Sequence, residues 1–210
     1  MNIVSPAATG RLIVFEGTDG TGKSTQIGLL ADQLIRRGHR VVATREPTQG
    51  PYGQQIRKLY LDRGSCTREE ELELFIADRR MHVEELLLPA LQSGQIVLCD
   101  RYFLSTAAYQ GANGMDVASI LARHGFAPEP DLAILFEAPV TLGIERITGG
   151  RGDSPNDFEK VDNLIRVSEI FAALDLPYIR RIDATQPIEA VRETILSLVL
   201  PLLATSRVVD

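Results

Sequence analysis

The chain predicts an α/β fold of three layers, a five-stranded parallel sheet with helices on both faces. Two patterns carry that reading. Short apolar runs bounded by turn residues recur along the sequence, and segments whose apolar residues follow a helical period lie between them. A third observation gives the sheet a working edge. Glycine, aspartate, arginine and proline gather just after several apolar runs, where open parallel sheets hold their ligands beyond the carboxyl ends of the strands.

The strands are expected at Leu12 to Glu16, Arg40 to Thr44, Gln95 to Asp100, Leu132 to Glu137 and Tyr178 to Ile182. Between the first two, Ile27, Leu30, Ala31, Leu34 and Ile35 form one helical stripe, and Gly38 is placed to end that helix. A helix beginning near Arg68 aligns Leu72, Phe75, Ile76, Val83 and Leu86. Val117, Ile120 and Leu121 mark a short helix, and Ile188, Val191, Ile195, Leu198 and Leu202 mark the last.

The length of 210 residues suits one large or two small domains. No internal repeat or low-complexity linker divides it, so residues 1–210 are taken as a single domain. A net charge of −6 with scattered basic residues argues against a nucleic-acid polymer as partner. Cys66 and Cys99 are too few for a disulfide framework and have no metal-site spacing. Cys99, within an apolar run, reads as a small core residue. The first ten residues lack a basic start, and no long apolar run occurs, so the expectation is a cytoplasmic protein without a membrane partner. His39, His82 and His124 have no ligand spacing and receive no role.

Directly after the first apolar run stands Gly17-Thr18-Asp19-Gly20-Thr21-Gly22-Lys23-Ser24, followed by Thr25. Glycines at these positions let the backbone turn tightly and aim N–H groups at phosphate oxygens. Lys23 can reach the outer phosphates, and the Ser24 hydroxyl can ligate Mg²⁺. This is a P-loop for a nucleoside triphosphate, and Gly17 to Thr25 are the expected ATP-binding residues.

Other strand ends carry complementary groups. Asp100 and Arg101 follow Gln95 to Cys99, placing a carboxylate fit to hold Mg²⁺ or its waters beside a guanidinium. Thr44-Arg45-Glu46-Pro47 ends another strand in the same manner. Arg79 falls on the apolar stripe of the helix near Arg68, and an arginine there must be paired. It is either salt-bridged to a core carboxylate or, with Phe75, suited to stacking a base and hydrogen-bonding its edge.

After Glu145-Arg146-Ile147 the chain runs through Thr148-Gly-Gly-Arg151-Gly-Asp-Ser-Pro-Asn156, glycine-rich with one central arginine. This composition predicts a mobile lid at about 148–157.

Taken together, Phe15 to Ser24, Thr44 to Pro47, Leu74-Phe75 with Arg79, Asp100-Arg101-Tyr102, Ser105-Thr-Ala-Ala-Tyr-Gln-Gly111 and Pro130-Asp-Leu132 resemble the thymidylate kinases. The resemblance runs from Leu12 to about Leu198 and rests on motifs in a fixed order. It implies the P-loop NTPase fold of the nucleoside monophosphate kinases, with ATP and Mg²⁺ as phosphoryl source, dTMP as acceptor, and a homodimer. Carried over position by position, it makes Asp19 a positioner of the acceptor, with Arg45 and Arg101 as clamps on its phosphate. Phe75 matches the base-stacking aromatic, Arg79 and Thr106 read the pyrimidine edge, Tyr109 lies against the sugar, and Gln110 joins the base pocket.

The resemblance puts the catalytic arginine in either the P-loop or the lid. The P-loop here has none, so Arg151 is the candidate and Arg146 the reserve, with Lys23, Asp19 and Arg101 completing the catalytic set. Glu159 stands ready for a water-mediated Mg²⁺ contact beside Ser24 and Asp100. The sequence departs from the family pattern at Asn156-Asp157-Phe158-Glu159, where a second lid arginine often lies, and at Phe171, where a tyrosine is common. Two rival readings remain: a phosphotransferase of this fold with another acceptor, and a nucleotide-dependent regulatory protein without transfer chemistry.

Overall fold

The computed structural model describes residues 10–60, 66–151 and 161–204. Five strands, β1 (Arg11–Glu16), β2 (Val41–Arg45), β3 (Ile96–Asp100), β4 (Leu132–Glu137) and β5 (Ile179–Asp183), form one sheet in the order β2-β3-β1-β4-β5. All four pairings are parallel. Nine helices among the described residues pack around it: α1 (Lys23–Arg36), α2 (Pro51–Leu59), α3 (Arg68–His82), α4 (Leu88–Gln92), α5 (Phe103–Ala112), α6 (Val117–Ala122), α7 (Val140–Arg151), α8 (Val161–Ala173) and α9 (Ile188–Ala204).

Side-chain alternation along β1 divides the core. Leu12 and Val14 face one side with Val97, Cys99, Ala133 and Leu135, and meet residues of α5 and α8 such as Leu104, Ala108, Leu164 and Val167. Ile13 and Phe15 face the other with Leu98, Ile134 and Phe136, and meet Ile27, Leu30 and Leu34 of α1 and Val191, Ile195 and Val199 of α9. Burial on both faces is why the strands read as continuous apolar runs. Cys99 fills core volume, as the sequence predicts. Asp131 ties β4 to β1 by accepting the Leu12 N–H at 2.9 Å.

The stripe from Leu72 to Leu86 does not lie on one regular helix. Thr67 and Glu70 form a capping box that starts α3, but Val83–Leu87 is a π-helical turn before α4. The Leu88 N–H reaches the Val83 carbonyl, five residues back. Pro89 has no N–H to give to Glu85, so the regular ladder is already interrupted there. A second departure concerns α7, which continues through Arg151, so Thr148 to Arg151, expected to open the lid, are helical. Residues 152–157 of that lid, and Glu159, lie outside the described residues, as does the side chain of Arg151. Among the described residues no helix is long and apolar enough to cross a membrane.

Candidate active site

The P-loop leaves β1 at the middle of the sheet, between β3 and β4, and α1 begins at Lys23. Gly17, Gly20 and Gly22 all have positive φ, which L side chains rarely adopt. At Gly20 space is also decisive. A Cβ there would sit 2.2 Å from the Gly143 carbonyl oxygen of α7, so loop and helix touch backbone to backbone. Lys23 lies under the loop, its Nζ donating to the carbonyls of Gly17 at 3.1 Å and Thr18 at 2.7 Å. Burial, then the Arg101 charge, lowers its pKa to about 8.

Around the loop opens a cavity of about 440 Å³ lined by Asp19 to Gln26, Arg45, Asp100, Arg101, Arg146, Ile147 and residues of the β5–α9 connection and α9. Ser24 Oγ donates to Asp100 Oδ2 at 2.6 Å, putting a hydroxyl and a carboxylate together at its floor. An oxygen-only donor pair at a phosphate loop suits Mg²⁺, which keeps water on its remaining positions. Ala184 and Gln186 also line this cavity, and Arg146 Nη1 donates to the Ala184 carbonyl at 3.1 Å.

A second cavity of about 220 Å³ adjoins the first and is lined by Phe75, Arg79, Thr106, Tyr109 and Gln110, with Glu46, Pro47, Arg57, Tyr60, Tyr102 and Ser105. Asp19, Arg45 and Arg101 line both cavities. Every acceptor residue expected from the sequence is therefore found at this second chamber or its boundary.

The boundary is built on charge. Arg101 Nη2 donates to Asp19 Oδ1 at 2.7 Å and to Tyr109 Oη at 3.2 Å. Burial alone would raise the Asp19 pKa, but Arg101 and Lys23 outweigh it and hold the carboxyl at about 2. Arg45 has no ion-pair partner among the described residues and is exposed at the chamber edge, a cation available to a ligand.

Of the two readings of Arg79, the structure shows the pair with a core carboxylate. Its Nε and Nη2 donate to Glu46 Oε2 at 2.8 and 2.6 Å, and Nη2 also donates to Thr106 Oγ1 at 3.0 Å. Among the described residues its Nη1 is buried without a protein partner, as are both polar atoms of the Gln110 amide. Buried donors and acceptors cost free energy when unpaired, so three such atoms beside one cavity are groups that a polar ligand could satisfy.

Several supporting residues had no role in the sequence reading. Glu46 is buried between Arg79 and His82, whose Nδ1 lies 2.9 Å from Glu46 Oε1 and whose Nε2 lies 2.8 Å from Thr44 Oγ1. Burial works to raise the Glu46 pKa, and Arg79 and His82 together lower it. Arg57 donates to the carbonyls of Pro47 and Thr48, and Asp78 accepts from the Thr48 N–H at 2.8 Å, so α2 and α3 fix the loop after β2. Phe171, which replaces a common tyrosine, is a core residue that lines neither chamber. The available signal was a carboxylate at a strand end, as at Glu16, which closes β1, and Glu46, which follows β2.

The family model described as thymidylate kinase matches residues 15–195. A relative named thymidylate kinase from Desulfotalea psychrophila is 59% identical over 194 residues, covering 92% of this chain and 96% of that protein. One of the same name from Xanthomonas euvesicatoria pv. vesicatoria is 48% identical over 182 residues, covering 87% of this chain and 80% of its own length. A third, from Xylella fastidiosa, is 43% identical over 194 residues, covering 92% and 88%. Since the matched span takes in the phosphate loop, both chambers and the last strand, the chain belongs to the thymidylate kinase family.

Proposed function

We propose that this chain transfers the γ-phosphoryl group of ATP to dTMP, forming dTDP and ADP in dTTP synthesis, with Mg²⁺ held at Ser24 and Asp100. Family membership supports the reaction, and one observation carries the site assignment: a phosphate-loop chamber and a base-sized chamber meet at Asp19, Arg45 and Arg101. Two clamps at the boundary would be idle against an uncharged nucleoside, so the acceptor is a monophosphate.

The attacking group is a phosphate oxygen already ionised near neutral pH, because its second pKa is about 6. No general base is needed. Positioning and neutralisation of charge carry the rate. P-loop N–H groups and Lys23 hold the β- and γ-phosphates, while Arg45 and Arg101 hold the acceptor phosphate facing them. The chemistry Mg²⁺ supplies when bound is neutralisation of charge on the β- and γ-phosphate oxygens. Asp19 orients Arg101 and is no proton acceptor, which agrees with a carboxyl held far below neutral pH. Phe75 stacks the base, Arg79 Nη1, Thr106 and the Gln110 amide hydrogen-bond its edge, and Tyr109 lies against the sugar. Arg151, the last residue of α7, supplies charge in the transition state, and Glu159 would contribute to the metal site through water. The active form is a homodimer in the cytoplasm, and light scattering on the full chain reads the assembly directly.

The test is product analysis with ATP, Mg²⁺ and a panel of nucleoside monophosphates. The expected result is dTDP in clear preference to other diphosphates. Preference for another acceptor would overturn the base-pocket assignment, and ATP binding without transfer to any acceptor would overturn the reaction.

A further inference from the structure

We propose that Glu16 is a positioning residue for the acceptor clamp, holding Arg101 through Ser105 and through the backbone of Tyr102. The inference deepens the proposed function and rests on it.

Glu16 ends β1, is fully buried, and lines neither chamber. Its Oε1 accepts the Tyr102 N–H at 3.0 Å, and its Oε2 accepts the Ser105 hydroxyl. Ser105 Oγ in turn accepts from Arg101 Nη1 at 3.0 Å. The Arg101 guanidinium is thus gripped on two sides. Nη2 is held by Asp19 and Tyr109 within the chamber, and Nη1 by a hydroxyl whose own proton is committed to Glu16.

The backbone repeats the pattern. Arg101 has φ +68°, the one non-glycine residue with positive φ among those described. Such a conformation persists only where surrounding structure over-determines it. The Arg101 N–H donates to the Phe15 carbonyl at 2.9 Å and the next N–H, of Tyr102, to the Glu16 carboxylate, so the end of β1 pins the turn on both sides.

Satisfying one buried N–H does not require a carboxylate. A neutral amide of the same shape would accept that bond without the cost of burying charge, and burial here pushes the Glu16 pKa up to about 7 against the pull of Ser105, Arg101 and Arg79. What an amide cannot do is accept at both ends. It would donate to Ser105 Oγ and compete with Arg101 Nη1 for the same oxygen. Ionised, as Glu16 is above about pH 7, the carboxylate orients the hydroxyl so that its lone pair faces the arginine, and the test of this role belongs at a pH above that value.

The experiment uses the full chain with Glu16→Gln, Ser105→Ala and the double variant, each verified as folded. It measures KM for dTMP, KM for ATP, kcat, and competitive inhibition by thymidine, which lacks the phosphate. Expected is a rise in KM for dTMP of roughly tenfold in either single variant, the worth of one charge-assisted hydrogen bond. KM for ATP and the thymidine inhibition constant should stay within about twofold, and the double variant should be no worse than the poorer single one, as for members of one network. Ser105→Ala keeps Glu16 bonded to Tyr102, so it carries the test if Glu16→Gln fails to fold. Unchanged KM for dTMP, or equal losses for dTMP and thymidine, would overturn the relay while leaving the proposed function intact. Absence of transfer by the unsubstituted protein would overturn both.

Discussion

Arg79 holds Glu46 and also lines the proposed acceptor chamber, so a substitution there must be read for both. Arg79→Ala leaves the buried Glu46 carboxylate with His82 as its remaining side-chain partner, a change that typically destabilises by about 3–5 kcal/mol. Thermal unfolding should show that loss, and KM for dTMP should rise in whatever fraction stays folded. A loss of dTMP affinity with unchanged stability would mean that the Glu46 contact is dispensable. The two arginines of α7 separate by kinetics. Arg151→Ala should lower kcat on the order of 10³-fold with little change in KM, as removal of a transition-state cation does. Arg146→Ala should instead raise KM for ATP, because its guanidinium holds the Ala184 carbonyl at the donor chamber. Exchanged outcomes would transfer the catalytic role to Arg146. Sequence pattern singled out residues that the fold brings around two adjoining cavities, but not the partners that hold them. The P-loop, Asp100 and Arg101 stand in local motifs, whereas Ser105 and Glu16 are 89 positions apart and His82 and Glu46 are 36 apart. Local spacing contains nothing that pairs them.

Among the elements, α7 has the closest bearing on the phosphate loop. A Cβ on Gly143 would sit 2.6 Å from the Asp19 carbonyl oxygen. Glycine to alanine within a helix ordinarily stabilises by up to about 1 kcal/mol, whereas forcing backbones apart costs about 1–3 kcal/mol. The second effect wins here, so Gly143→Ala should lose stability in denaturant titration and raise KM for ATP more than KM for dTMP. A gain in stability would show that helix and loop yield without cost. The strands were legible to within about one residue at each end, because parallel strands buried on both faces leave uninterrupted apolar runs. The π-helical turn at Val83–Leu87 was not. One extra residue in a turn shifts the phase of a stripe by less than the stripe's own width, so Val83 and Leu86 still fit a regular helix.

Across the whole molecule, the acidic chain concentrates buried ionisable groups where the two chambers meet, and this shapes its stability against pH. Glu16 has an ordinary pKa of 4.5 and a folded value of about 7. Between those values the folded state keeps a proton that the unfolded state releases, so this group's contribution to stability falls as pH rises through that window. Asp19 has the opposite sign: its contribution is present above 3.8 and is lost as pH falls toward about 2. Glu16→Gln should therefore gain stability relative to the unsubstituted chain between pH 4 and pH 8, by on the order of 3 kcal/mol. A stability difference that stays flat over this range in denaturant titrations would place the Glu16 pKa near its ordinary value. The wall shared by the chambers has one more consequence. With ATP and dTMP placed as proposed, the two share the border formed by Asp19, Arg45 and Arg101, so neither would bind without altering the field felt by the other. Thermodynamic linkage makes that influence mutual: whatever factor bound dTMP applies to the dissociation constant of ATP, ATP applies to that of dTMP. The three side chains are thus a meeting point for the reactants and also the means by which each site registers whether the other is filled.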